Sequence, residues 1–154
     1  MKLVVKSMRL FIAVPISEEV SFELDHWVTT NREEVFFRKW VHPTDYHITI
    51  QFLGEINVDK IEALQACLRS IRSNPIVLRL NGAGYFGSPH SPHVLYVPHI
   101  TIARNYIGKD RFPSNNIKSV PSGINWVVDR FMLMRTCSNT SPMYEVIESY
   151  PLRK

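Results

Sequence analysis

The strongest constraint on this chain is a short apolar pattern that it carries twice. Tyr46-His47-Ile48-Thr49-Ile50 returns, fifty-two residues later, as Pro98-His99-Ile100-Thr101-Ile102. β-Branched residues favour strands, and successive side chains of a strand point to opposite faces. A period of two puts His47 and Thr49 on one face and Ile48 and Ile50 on the other. His99 and Thr101 separate in the same way from Ile100 and Ile102. Each strand is therefore expected to bury isoleucine and to present imidazole and hydroxyl on its other side. Placed side by side or face to face, the two strands would bring two histidines and two threonines together.

That set of groups suits acid–base chemistry on a phosphate. An imidazole titrates near pH 6.5, so at neutral pH it serves as either acid or base. Two of them flanking one phosphorus divide the work: one takes a proton from water, the other gives one to the departing oxygen. Threonine hydroxyls two residues away donate hydrogen bonds to the phosphoryl oxygens and favour the charge of the transition state. The reading names His47, Thr49, His99 and Thr101 as the catalytic set. It assigns no metal and no cofactor, since zinc takes three or four protein ligands and no third ligand stands at metal spacing. The other histidines fit blander roles. His26 sits on a helix, His42 beside Asp45 in a turn, and His90 and His93 next to a loop.

The rest of the chain supplies a frame. Its 154 residues are enough for one domain or two lobes, and 45% hydrophobic with 21% charged is ordinary for a globular protein. A net charge of +4 mildly favours an anionic partner. Cys67 and Cys137 make neither a disulfide framework nor a metal spacing, and Cys67 reads as a small buried residue of a helix. The apolar run Leu10–Val14 is too short for a membrane span or a signal-peptide core, so a cytoplasmic protein with no membrane partner is expected.

In chain order, Arg9–Val14 reads as a strand ended by Pro15. Ser17 caps a helix with Glu18 and Glu19 in its first turn and Val20, Leu24, Trp27 and Val28 as its buried stripe. Val35–Val41 is a strand, followed by the turn His42–Asp45 and the first motif strand, which runs to Gly54. Asn57 caps a second helix with Ile61, Leu64, Leu68 and Ile71 inward, and Asn74-Pro75 ends it. Ile76–Leu80 is a strand and Asn81–Pro92 a loop. His93–Val97 runs into the second motif with only Pro98 between. A single strand across that proline would be twelve residues long, so the chain either bends sharply there or lacks a segment. Asn105–Gly123 reads as a polar loop, Trp126–Arg135 as one long strand, Thr136–Pro142 as a turn and Tyr144–Tyr150 as the closing strand. Strand, helix, strand, strand, helix, strand describes an α+β fold with helices on one face of a mainly antiparallel sheet.

Candidate substrate contacts follow from residue type. Phe11, Trp40, Tyr85 and Phe86 can stack on a base, as aromatic side chains do in single-stranded RNA readers. Phe11 and Trp40, being in strands, fit a core equally well. Arg104 and Arg135 can pair with a phosphate, although parity places Arg104 on the isoleucine face.

These residues resemble the 2H phosphoesterase superfamily, marked by a pair of His-x-Thr/Ser motifs. Within it the chain is similar to the RNA 2′,3′-cyclic phosphodiesterases, long named 2′-5′ RNA ligases. Arg9–Val14 resembles the opening strand, Trp40-Val41 with His47–Glu55 the first signature, Pro98–Arg104 the second, and Tyr144–Leu152 the last strand. The resemblance implies a bilobal α+β fold over residues 8–154, after an N-terminal extension of residues 1–7. It implies two mainly antiparallel sheets, helices on the outer faces, a central cleft and a pseudo-two-fold. The implied activity is hydrolysis of a terminal 2′,3′-cyclic phosphate to a 2′-phosphate, with 2′-5′ joining as the reverse. His47 would be the proton donor, His99 the base, and Thr49 and Thr101 the phosphate contacts. The substrates expected are RNA ends or small cyclic phosphates, acted on by a monomer without an obligatory protein partner. Relatives usually carry a helix at the Val97-Pro98 seam, absent here. A non-catalytic RNA- or nucleotide-binding module that keeps the fold is the alternative.

Overall fold

A computed structural model describes residues 6–88, 90–97, 100–113 and 115–154. The chain divides into two compact units, and both run through the first motif strand. One unit takes the chain up to Pro15, Thr49–Ile76 and Val128–Lys154; the other takes Ile16–Ile48 and Val77–Val127.

The first unit is a sheet with one helix. β1 (Ser7–Pro15), the part of β3 (His47–Asn57) that starts at Thr49, β9 (Arg130–Thr136) and β10 (Tyr144–Pro151) lie in the order β10-β9-β1-β3. β1 runs antiparallel to β9, with Leu10 opposite Arg135 and Ala13 opposite Met132. β9 runs antiparallel to β10, with a register shift between Val146 and Glu148. The alternation of apolar residues along β1 and β9 puts Phe11, Ala13, Met132 and Met134 in one buried cluster against Tyr144. α2 (Val58–Arg69) is built from good helix formers and packs lightly: Leu68 is its one buried residue, while Ile61 and Leu64 are half-buried. Its tie to β10 is polar. The Glu148 carboxylate accepts from Arg69 Nε at 2.7 Å, Gln65 Nε2 at 3.0 Å and the Tyr150 hydroxyl at 3.0 Å.

The second unit holds α1 (Glu18–Asn31), whose first turn is closed by the Val20 N–H donating to Ser17 Oγ at 3.2 Å. Val20, Leu24, Trp27 and Val28 are buried, the stripe expected from their spacing. The Trp27 indole donates to Ser119 Oγ at 2.9 Å. The strands are β2 (Phe37–Trp40), β4 (Ile76–Arg79, from Val77), β5 (Gly84–Ser88), β6 (Ser91–Val97), β7 (Ile100–Tyr106) and β8 (Asn125–Val128, to Val127). β5, β6 and β7 form an antiparallel meander, and β4 pairs with β8. Phe112 sits among Phe37, Tyr85 and Tyr106, with edge-to-face ring contacts of 5.1–5.8 Å.

The structure revises several expectations. Residues 81–92 are not all loop: Gly84 and Gly87 lie inside β5 and Pro92 inside β6, two paired strands whose register shifts between Phe86 and Gly87. Trp126–Arg135 is two strands in separate sheets, β8 and β9. β7 continues to Tyr106, past Asn105, which takes a left-handed φ of 58°. Not revised is the junction after Val97: Val97 pairs with Ile100 and β6 runs antiparallel to β7, in keeping with the sharp bend, one of the two readings there. Asn57 stands at the start of α2 without a side-chain capping bond. Cys67 is exposed, on the outer side of a helix that buries little. Ile71 is 44% exposed because the helix ends before it.

Candidate active site

β7 is the strand on which the site is built. β6 occupies one of its edges from Ile100 to Arg104. β2 and the start of β3 share the other edge, with Trp40 opposite Ala103 and Ile48 opposite Ile100. Two residues of β7, Thr101 and Ile102, thus face seven residues of the other chain segment, 41–47. The surplus loops out. Val41 keeps one more pairing, its N–H donating to the Ile102 carbonyl at 3.0 Å, and Pro43–Asp45 then closes a single 3-10 turn. His42 starts that turn, its Nδ1 accepting from the Thr44 N–H at 3.2 Å. An excursion of this kind re-aims the residue that follows it.

The residue that follows is His47. The turn delivers the Asp45 carbonyl to within 2.6 Å of its Nδ1. A carbonyl only accepts, so Nδ1 carries the hydrogen and Nε2 is the nitrogen whose protonation changes. Ile48 pairs antiparallel with Ile100, so His47 and Thr101 are the next positions along the two strands from that pair. Behind them Ile100 and Ile102 are fully buried, so β7 has the face division expected of it, while Thr101 is half-buried. β3 does not repeat the pattern: Ile50 is 59% exposed.

Electrostatics follow from this placement. Burial, which disfavours the imidazolium, lowers the His47 pKa below its ordinary value. The hydrogen bond to the Asp45 carbonyl and the Asp45 charge oppose that shift, and the Arg104 charge adds to it. Arg104, expected on the isoleucine face, is therefore close enough for its charge to act on His47. At neutral pH the free protein holds His47 mainly as the neutral ring.

The remaining candidates are placed as follows. His99 and Pro98 lie outside the described residues. Thr49 is exposed on β3, the first residue of the other unit. Tyr85 is half-buried with its ring 5.1 Å from that of Phe112, and the Phe86 side chain lies outside the described set. Phe11 is 3% exposed, edge-on to Tyr144 at 5.1 Å, which makes it part of its unit's core and not an open stacking face. Arg135 is 3.8 Å from the Glu145 carboxylate and lines a polar cavity with Arg9, Glu55 and Cys137. Sequence reasoning missed the Asp45 carbonyl as the group that orients His47. The signal was available: a His-Pro-x-Asp turn wedged between two strand segments.

Comparison with known proteins gives a consistent picture. An RNA 2′,3′-cyclic phosphodiesterase of Bacillus subtilis is 30% identical over 176 aligned positions, which take in 92% of this chain and 95% of that protein. One of Geobacillus stearothermophilus is 29% identical over 96% of this chain, which spans 58% of that protein's length. The crystal structure of the Thermus thermophilus protein TT0787 superposes with a TM-score of 0.76 at 28% identity, covering 95% of this chain and 98% of that one. Escherichia coli LigT complexed with phosphate shares the fold, with a TM-score of 0.75 at 21% identity over 97% of this chain and 99% of its own. Residues 14–96 match the LigT-like phosphoesterase family, and with the Bacillus relative this establishes that the chain belongs to that family.

Proposed function

We propose that this protein hydrolyses a terminal 2′,3′-cyclic phosphate of RNA to a 2′-phosphomonoester, by acid–base catalysis between His47 and His99. The observation that carries the reading is His47 itself, its Nδ1 held by the Asp45 carbonyl at 2.6 Å, one position before the residue that pairs with Ile100. His47 donates a proton from Nε2 to the leaving 3′ oxygen, and His99 takes one from the attacking water. Thr49 and Thr101 hold the phosphoryl oxygens and favour the negative charge that builds on them. The depressed pKa of His47 leaves it neutral in the free protein, so the acid form must be made as substrate binds. The negative charge of the cyclic phosphate beside the ring favours the imidazolium and reverses the effect of burial. With the 5′ hydroxyl of a second RNA in place of water, the same proton transfers give a 2′-5′ ligation: His99 takes the hydroxyl proton, the 5′ oxygen bonds to phosphorus, and the P–O3′ bond breaks as His47 protonates the 3′ oxygen. Relatives named RNA 2′,3′-cyclic phosphodiesterase support the substrate class. So does the structure of Escherichia coli LigT with 3′-AMP, at 21% identity.

The test is hydrolysis of a 2′,3′-cyclic nucleotide with a chelator present, since the proposed steps use no metal. His47→Ala and His99→Ala are each expected to lower the rate by about 10²–10⁴, the usual worth of a positioned acid or base. Rates within a few-fold of the parent would overturn the assignment. Tight binding of the product 2′-phosphate with no turnover would favour the non-catalytic module instead.

A further inference from the structure

We infer a second nucleotide-binding subsite at the far end of β7, which takes the RNA strand leading to the reacting end. The inference rests on the proposed RNA substrate and extends it. The Ile107 N–H donates to the Phe36 carbonyl at 2.8 Å, which carries the β2–β7 pairing one step past Tyr106. Both side chains are left in solvent, Phe36 at 52% and Ile107 at 55% exposure, although each is large and apolar. They line a cavity of about 460 Å³ together with Tyr106, Pro113 and the loop residues Lys109 and Arg111.

The pocket is preformed. Gly108 lies so close to Tyr106 that a Cβ there would overlap the hydroxyl end of the ring. The Tyr106 hydroxyl donates to the Asp110 carbonyl at 3.2 Å, which draws the loop 107–111 around it. An exposed aromatic beside two exposed cations is the combination that binds single-stranded nucleic acid, through base stacking and phosphate contact. β2 extends the same character toward the catalytic end, because Arg38 and Lys39 are exposed and Trp40 half-exposed. The cavity lining itself carries two cations, Lys109 and Arg111, and two acids, Glu34 and Asp110, while Arg38 and Lys39 add positive charge on the adjoining β2.

Distance fixes which nucleotide is read. Thr101 and Ile107 are six residues apart, about 20 Å at the rise of a strand. Stacked nucleotides are spaced by about 3.4 Å along one strand, so the pocket takes a base up to about six residues from the cyclic phosphate, fewer if the strand is extended.

The experiment is a length series of oligoribonucleotides ending in a 2′,3′-cyclic phosphate, from one to eight nucleotides. kcat/KM is expected to rise about five- to hundred-fold over the step at which the strand reaches Phe36, the range of one stacked base. Phe36→Ala and the double variant Lys109→Ala/Arg111→Ala should abolish the rise and leave hydrolysis of the mononucleotide unchanged. A flat length series, or variants that slow the mononucleotide equally, would overturn the subsite. Fluorescence anisotropy of a labelled eight-nucleotide RNA ending in a 3′-phosphate, on the His47→Ala protein, separates the two proposals. Binding weakened by Phe36→Ala supports the subsite whether or not the protein turns over, whereas equal binding overturns it.

Discussion

Replacing Tyr46 by phenylalanine should stabilise the protein, and by an amount that grows with pH. Tyr46 is 5% exposed, and its hydroxyl has no hydrogen-bond partner among the described residues. A hydroxyl buried without a partner costs about 1–3 kcal/mol on protein mutational scales. Tyr46→Phe removes that cost and keeps the packed ring. A gain of about 1–2 kcal/mol near neutral pH is expected, or a rise in Tm of several degrees at about 2–4 °C per kcal/mol for a chain of this size. The alkaline range adds a second signature. Burial, helped by the Asp25 carboxylate, raises the Tyr46 pKa well above its ordinary value of 10.0. Below that value both folded and unfolded chains hold the proton and nothing depends on pH. Above it the unfolded chain loses the proton and the folded chain retains it, so parent stability falls as pH rises, by about 1.4 kcal/mol per unit for one proton. Tyr150, whose pKa is also raised by burial and by its bond to Glu148, is present in both proteins and cancels in the difference. Urea unfolding at about pH 8 and about pH 11 should show the gap between the two proteins widening at the higher pH. A Tyr46→Phe protein less stable by about 1 kcal/mol at the lower pH, or stability curves that stay parallel, would refute the reasoning.

Two further outcomes test the site and its surroundings. If His47 donates the proton, kcat/KM should fall as pH rises through its burial-lowered pKa, and His47→Ala should lose that descending limb; loss of an ascending limb instead would make His47 the base. Gly108→Ala must push aside the Tyr106 ring, itself packed on Phe37 and Phe112, and should cost about 1–3 kcal/mol by thermal unfolding; an unchanged Tm would mean that the loop yields.

The elements legible in the sequence were those with one strong local signal. The stripe Val20, Leu24, Trp27 and Val28 behind Ser17 defines α1 without help from the rest of the chain. β7 announced its buried face through Ile100 and Ile102. Reading failed where pairing partners decide. Gly84 and Gly87 look like loop residues until β6 supplies the second half of a hairpin. Trp126–Arg135 has the composition of one strand, and only its division between β4 and β1 as partners splits it. Ile50 carries a strand signal, but alternation states which residues share a face, not whether anything covers that face. At the site, residue types named His47 and Thr101, whereas the carbonyl that orients His47 comes from the turn His42–Asp45, whose bearing on the next residue shows only once the flanking strands are placed.

The loop between Trp40 and Ile48 is bounded on both sides by segments docked to one neighbour, so its length is free of the constraint that governs a hairpin. A residue gained or lost inside it leaves both flanking alignments where they were. What such a change removes is the support beneath the imidazole. On the role proposed for His47, length variation here should accordingly spare folding and abolish hydrolysis, so that scaffold and chemistry come apart in this loop.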